Sequence, residues 1–182
     1  MSHTARNNSS LPKTIWDISA PVRLGTPVFP GDTPYQQQWG ASISSTCPVN
    51  VSQLTLSPHI GTHADAPLHY DPQGETVGAL DLSPFIGPCR VIHALACGSL
   101  IEWQHLAHAL TDLPPRVLVR TYASMPINRW DPALAAYAPD TIERLAQRGV
   151  RLIGIDTASI DPADSKTLDS HQVIRRHAMR VL

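Results

Sequence analysis

His59, His63, Asp65 and His69 stand at odd positions within eleven residues, His59-Ile60-Gly61-Thr62-His63-Ala64-Asp65-Ala66-Pro67-Leu68-His69. In an extended chain, side chains alternate faces with period two, so four groups of one parity would project to one side. Gly61 lies between the first two histidines on that side, where it would leave room for an ion. Neutral imidazole and carboxylate are the donors that suit zinc and its first-row neighbours. A helix is the competing geometry, because His59 and His63 are also four apart. Pro58, Gly61 and Pro67 oppose it, since proline removes a backbone donor and glycine weakens a helix interior. The expectation is an extended segment that bends at Ala66-Pro67 and presents a metal site.

The elements that must hold this stretch follow from pattern. Alternation of polar and apolar residues over 37–46 and 49–56, broken at Cys47-Pro48, predicts a hairpin that feeds into the metal stretch. A short strand is expected over 14–19, and a loop over 23–36 carries a Pro-Gly turn at 30–31. Further on, strands are expected over 88–95, 116–121 and 152–155. Helices are expected over 101–110, with Glu102 at the positive end, and over 139–148, stopped by Gly149. Residues 122–138 look irregular. After a loop over 156–169, a last helix is expected from Ser170 to Leu182, with apolar residues at 173, 174, 178, 181 and 182. Strands dominate the first half and alternate with helices in the second, which supports an α/β or α+β domain.

The chain has 182 residues, enough for one domain with a real core, and a formal net charge of −1. Charged residues are 16%, below the roughly 25% of average proteins. No nucleic-acid or membrane footprint is visible in that balance. The three cysteines, Cys47, Cys89 and Cys97, form no C-x-x-C pair and fit a reducing compartment. No run reaches the roughly 20 apolar residues of a membrane span. The Ser- and Asn-rich residues 1–13 lack an apolar signal core and read as a disordered tail before a single domain over 14–182. The location expected is cytoplasmic.

The stretch 59–69 resembles the H-x-G-T-H-x-D-x-P-x-H signature of the cyclase-family metal-dependent hydrolases, a group that includes the bacterial kynurenine formamidases. The likeness continues through Ile15-Trp16-Asp17-Ile18-Ser19, Phe29-Pro30-Gly31-Asp32-Thr33-Pro34, Asp156-Thr157-Ala158-Ser159-Ile160-Asp161-Pro162, Ser165-Lys166 and Ser170-His171, in the same order. The resemblance implies the swivelling β/β/α fold of that family. It implies two Zn²⁺ ions per subunit, with Mn²⁺ an alternative, held by His59, His63, Asp65 and His171. His69 would be the catalytic acid/base. The substrate would be a small aryl formamide, N-formyl-L-kynurenine, converted to L-kynurenine and formate in tryptophan catabolism, and the assembly a homodimer.

From the residues alone His171 is weakly marked, and Asp156 and Asp161 read as loop residues or partners of His171. Phe29 stands where the similar formamidases carry Trp against the aromatic substrate. Phenylalanine keeps an apolar ring and loses the indole donor, so a different aryl or cyclic amide stays open as substrate. A dehydrating cyclase and a non-catalytic metal-binding protein also remain open. The resemblance further places a bridging glutamate beyond the last helix, and none follows Glu143. The expectation is therefore a domain shortened at its C-terminus, with its second metal held weakly.

Overall fold

The computed structural model describes residues 14–182. The expected tail over 1–13 lies outside the described residues. Among the described residues, eight strands and three α-helices run in the order β1 (Gln36–Ala41), β2 (Val51–Thr55), β3 (Arg90–His93), β4 (Leu100–Ile101), α1 (Trp103–Leu106), β5 (Arg116–Arg120), β6 (Ala136–Tyr137), α2 (Pro139–Gln147), β7 (Leu152–Ile155), α3 (Asp169–Arg176) and β8 (Arg180–Val181). The mixed α/β class follows as expected.

The core is a four-stranded parallel sheet in the order β3-β5-β7-β8. Parallel strands need their faces covered, and the sequence supplies Val117, Val119, Leu152 and Ile153 as fully buried residues. α2 and α3 pack on each other and on this sheet through Ile142, Leu145, Val173 and Ile174. Pro139 opens α2 at its first turn, and Gly149, at φ +83, follows its end. β4 and β6 form a separate two-stranded parallel pair. β1 and β2 form the expected antiparallel hairpin, shorter than read, with a bulge between Trp39 and Ala41. The connection is held by the Asn50 side chain, which accepts from the Ile43 amide at 2.7 Å.

Four readings change. Residues 14–19 form no strand; Ile15, Trp16 and Ile18 are exposed, and no strand among the described residues pairs with them. Ile101 belongs to β4, and helix α1 begins at Trp103, with Glu102 and His105 closing a reciprocal capping box. Within 122–138, Ala136–Tyr137 is a strand.

The fourth change concerns the last helix, which stops at Arg176 rather than Leu182. The Ala178 amide bonds the Arg175 carbonyl at 3.2 Å and the Met179 amide bonds Ile174 at 3.0 Å. With Ala178 at φ +49, this is a Schellman ending made without glycine. Met179 is buried beneath it. The chain then pairs as β8 alongside β7, Val181 opposite Ile153.

Candidate metal centre

The metal stretch is not extended as expected. His59 sits in a turn that Ser57 and Ile60 close by a backbone bond of 3.3 Å. Gly61 follows at φ +67, and a Cβ there would meet Val22 at 2.7 Å. Glycine is therefore required by backbone conformation and by close packing, not by space for an ion. Pro67 then starts a single 3-10 turn, Pro67–His69, so the bend at Ala66-Pro67 is present. The turn and the bend converge the side chains that a flat strand would have spread in a row.

His59 Nδ1, His63 Nε2 and Asp65 Oδ1 form a tight triangle. The two nitrogens are 3.2 Å apart, and the oxygen lies 2.8 Å from His59 and 3.4 Å from His63. Four ligands at about 2.0–2.1 Å around a tetrahedral ion lie about 3.3 Å from one another. Asp65 Oδ1 is buried, and neither imidazole meets it at hydrogen-bonding angles, so close approach leaves it without a hydrogen-bond partner. A buried carboxylate oxygen without a donor is costly, and a cation within the triangle removes that cost. The donor set and its spacing fit a divalent metal.

The tautomers agree. His63 Nδ1 lies 2.9 Å from the Gly61 carbonyl, which can only accept, so the proton sits on Nδ1 and Nε2 turns a lone pair to the triangle. Across the site, His171 Nδ1 lies 2.6 Å from Asp161 Oδ2, and His171 Nε2 lies 3.5 Å from Asp65 Oδ2. The second oxygen of Asp65 thus faces a second histidine nitrogen, as a bridging carboxylate would.

Asp161 is buried and organises α3 from ten residues away. It accepts the Ser170 amide at 2.8 Å and the His171 amide at 3.1 Å, taking two of the orphan donors of the helix start. Burial pushes the Asp161 carboxyl up, but the His171 ring and these amides outweigh it and hold it below the usual range. Asp65 behaves likewise, with burial overcome first of all by the His171 ring. Both are ionised at neutral pH. Burial lowers His171, and Asp161 and Asp65 together raise it further than that.

His69 stacks near His59, ring centroids 4.1 Å apart, and 5.9 Å from His171. Burial lowers its pKa, helped by the charges of three neighbouring histidines and opposed by Asp65. His59, Asp65 and His69 each offer a ligand atom within 4.8 Å of the others. Sequence spacing therefore located the cluster, and the structure brings His59, His63, Asp65, His69 and His171 to one place.

These residues floor a cavity of about 610 Å³, within the range of small-molecule sites. Phe29, Trp130, Met125 and Ile127 give it an apolar wall, and Arg129 and Lys166 line it as well. Sequence reasoning missed Asp32 and Ser57. Ser57 is buried, donates to Asp32 and accepts the His59 amide at 3.0 Å, which ties the 29–34 loop to the metal turn. The Ser57 hydrogen bond and then the Thr33 amide hold Asp32 low. An aspartate directly after Pro-Gly was the available signal. His93 and His108 stay outside the cluster, and His177 instead bonds Glu143 at 2.7 Å.

The model of the Cyclase family matches residues 16–162. A kynurenine formamidase of Paracidovorax citrulli is 71% identical over 175 residues, covering 94% of this chain and 81% of that protein. A kynurenine formamidase of Delftia acidovorans is 65% identical over 170 residues, covering 93% and 81%. Among solved structures, a potential metal-dependent hydrolase with cyclase activity superposes with a TM-score of 0.75 at 25% identity, covering 91% of this chain and 78% of that one.

Proposed function

The chain belongs to the Cyclase family, and from that premise we propose that it hydrolyses N-formyl-L-kynurenine to L-kynurenine and formate. The observation that carries this reading is 71% identity to a kynurenine formamidase across 94% of the chain. The cavity supports it. Phe29 and Trp130 line the same cavity as the histidine cluster, so an aryl amide would lie against these rings with its formyl end toward the cluster.

His59, His63 and Asp65 Oδ1 would hold one divalent ion, and Asp65 Oδ2 with His171 Nε2 would help hold a second. Zinc suits the tetrahedral spacing, and manganese accepts the same donors. When bound, such ions favour hydroxide over water at neutral pH and stabilise negative charge on the formyl oxygen.

The chain's own groups supply the rest. His69, kept neutral by burial, accepts a proton from the attacking water. The tetrahedral carbon then expels the aryl amine, a poor leaving group until protonated. His69 returns its proton to that nitrogen as the carbon–nitrogen bond breaks. Phe29 orients the ring, and Asp161 keeps His171 aimed at Asp65.

The reaction would run in tryptophan breakdown in the cytoplasm. No helix among the described residues is long and apolar enough to cross a membrane. A homodimer is the assembly that the hairpin supports. Trp39 is 61% exposed there, and Leu54 lies open on the same face.

The test pairs metal analysis with turnover on one preparation. Formylkynurenine, formylanthranilate and isatin are offered to metal-loaded and chelator-treated protein. Metal-dependent release of kynurenine, with formylkynurenine preferred, is expected. Stoichiometric metal with no turnover of any of the three would overturn the assignment.

A further inference from the structure

Trp130 belongs to no regular element, yet the segment around it is tied down at every few residues. Its start is clamped at the end of β7, where Asp156 accepts the Thr121 amide and hydroxyl at 2.8 and 2.7 Å and the Tyr122 amide at 3.0 Å. Tyr122 then donates its hydroxyl to Asp131 at 2.7 Å, closing the loop on the residue beside Trp130. The other oxygen of Asp131 accepts the Ala133 amide at 3.0 Å. Between these points, Arg23 donates to Asn128 at 3.1 Å and the Arg129 amide bonds the Pro126 carbonyl at 3.3 Å. Irregular backbone held this firmly presents a side chain rather than covering a surface.

The side chain presented is an indole, half-buried in the wall of the cavity. Its ring meets Phe29 edge to face, centroids 5.2 Å apart and planes at 74°. Among the described residues, Trp130 is the one tryptophan that lines the cavity. Phe29 is 36% exposed although it touches Trp130, so the pair leaves aromatic surface open to the cavity. Two rings set nearly at right angles form a corner. A planar aryl group entering that corner would stack on one face and meet the other ring by its edge, the two geometries aromatic pairs prefer.

We propose that Trp130 is a specificity-determining residue, which together with Phe29 selects aromatic over aliphatic amides. The inference rests on the formamidase reading above for its substrate. It also explains how phenylalanine suffices at position 29: the indole face is supplied from the loop between β5 and β6.

The experiment compares two formamides that share an α-amino acid and differ in the ring, N-formyl-L-kynurenine and Nε-formyl-L-lysine. In Trp130→Ala, the ratio of kcat/KM for the aryl over the aliphatic compound should fall about three- to tenfold, the worth of one aromatic pair. The fall should lie in KM, and Trp130→Phe should restore most of it. An unchanged ratio in Trp130→Ala would overturn the proposal, as would equal losses on both compounds. If metal-loaded native protein turns over neither compound, the formamidase reading fails by itself. Trp130 is then judged by calorimetric binding of L-kynurenine. Affinity three- to tenfold weaker in Trp130→Ala supports the aromatic corner, and equal affinity, or no binding to the native protein, overturns it. Thermal melting of both variants confirms that the loop still folds.

Discussion

The Asp65 amide donates to the Val181 carbonyl at 3.3 Å, so the last strand of the sheet holds the backbone of the central carboxylate. That strand exists because the chain turns sharply at Ala178, which sits at φ +49 without being glycine. A left-handed alanine costs about 1–2 kcal/mol, and glycine recovers it at an unfolded-state cost of about 0.4–1 kcal/mol. Ala178→Gly is therefore expected to raise stability by about 0.5 kcal/mol. Urea unfolding with an unchanged m-value would measure it; a loss of stability would mean the turn is not strained.

Asp161 has a different weight, because it fixes a helix start and an imidazole together. Removing it leaves buried amides unpaired and frees the His171 proton to move to Nε2, the nitrogen that faces Asp65. Asp161→Ala is expected to weaken metal binding about 10- to 100-fold and to lower the melting temperature in the metal-free protein. Zinc competition titration and nitrogen NMR of the His171 tautomer read the two effects. Native zinc affinity with an unchanged tautomer would show that Asp161 only caps α3.

How far the sequence foretold these features depends on distance along the chain. His59, His63, Asp65 and His69 share parity within eleven residues, so their convergence was legible, although it arises from a turn at Gly61 and a bend at Pro67. His171 came only through family resemblance, because nothing local links it to Asp65, 106 residues earlier. Asp161 was expected beside His171 and is found there, whereas Ser57 and Trp130 make folded contacts that leave no periodic trace. The last helix was overrun because apolar residues at 178, 181 and 182 keep helical spacing, while the ending carries no glycine. Val181 is apolar because β8 is buried, which pattern cannot tell from a helix face. The α/β class was legible from alternating elements, and its topology only from the family.

His69 separates two roles by one measurement. If it carries the proton, His69→Ala should keep its bound metal and fold and lose about 10²–10⁴ in kcat. Its placement over His59, within ligand range of Asp65, makes parallel metal analysis essential. Loss of metal together with activity would reassign His69 as a ligand.

The link between α2 and α3 carries a pH signature away from the metal. The His177 ring holds Glu143 below its ordinary value, helped by Gln147 and Arg176 against burial. A carboxyl depressed on folding adds stability above its unfolded pKa, about 4.3, and loses it as pH falls through the lower folded value. The melting temperature of native protein should thus drop more steeply between about pH 5 and 3 than that of Glu143→Gln. Superimposable acid limbs would show that the contact contributes nothing. Both groups are open to solvent, so the difference should be small and should shrink in high salt.

The hairpin makes the last prediction. Among the described residues β1 and β2 pair only with each other, and both strands are solvent-exposed along nearly their whole length. A two-stranded ribbon is marginal in water by itself, and Trp39 and Leu54 leave apolar surface open on one face of it. In the homodimer proposed above, a second copy of the chain would cover this face under two-fold symmetry. The native protein should therefore run as a dimer in size-exclusion chromatography with light scattering. Trp39→Glu, which places charge in the patch, should shift it to monomer at micromolar concentration. The hairpin leads through Ser57 into His59, so the monomer should also show weaker metal binding. A native protein that is monomeric at tens of micromolar, or a dimer indifferent to Trp39→Glu, would place the interface elsewhere or remove it.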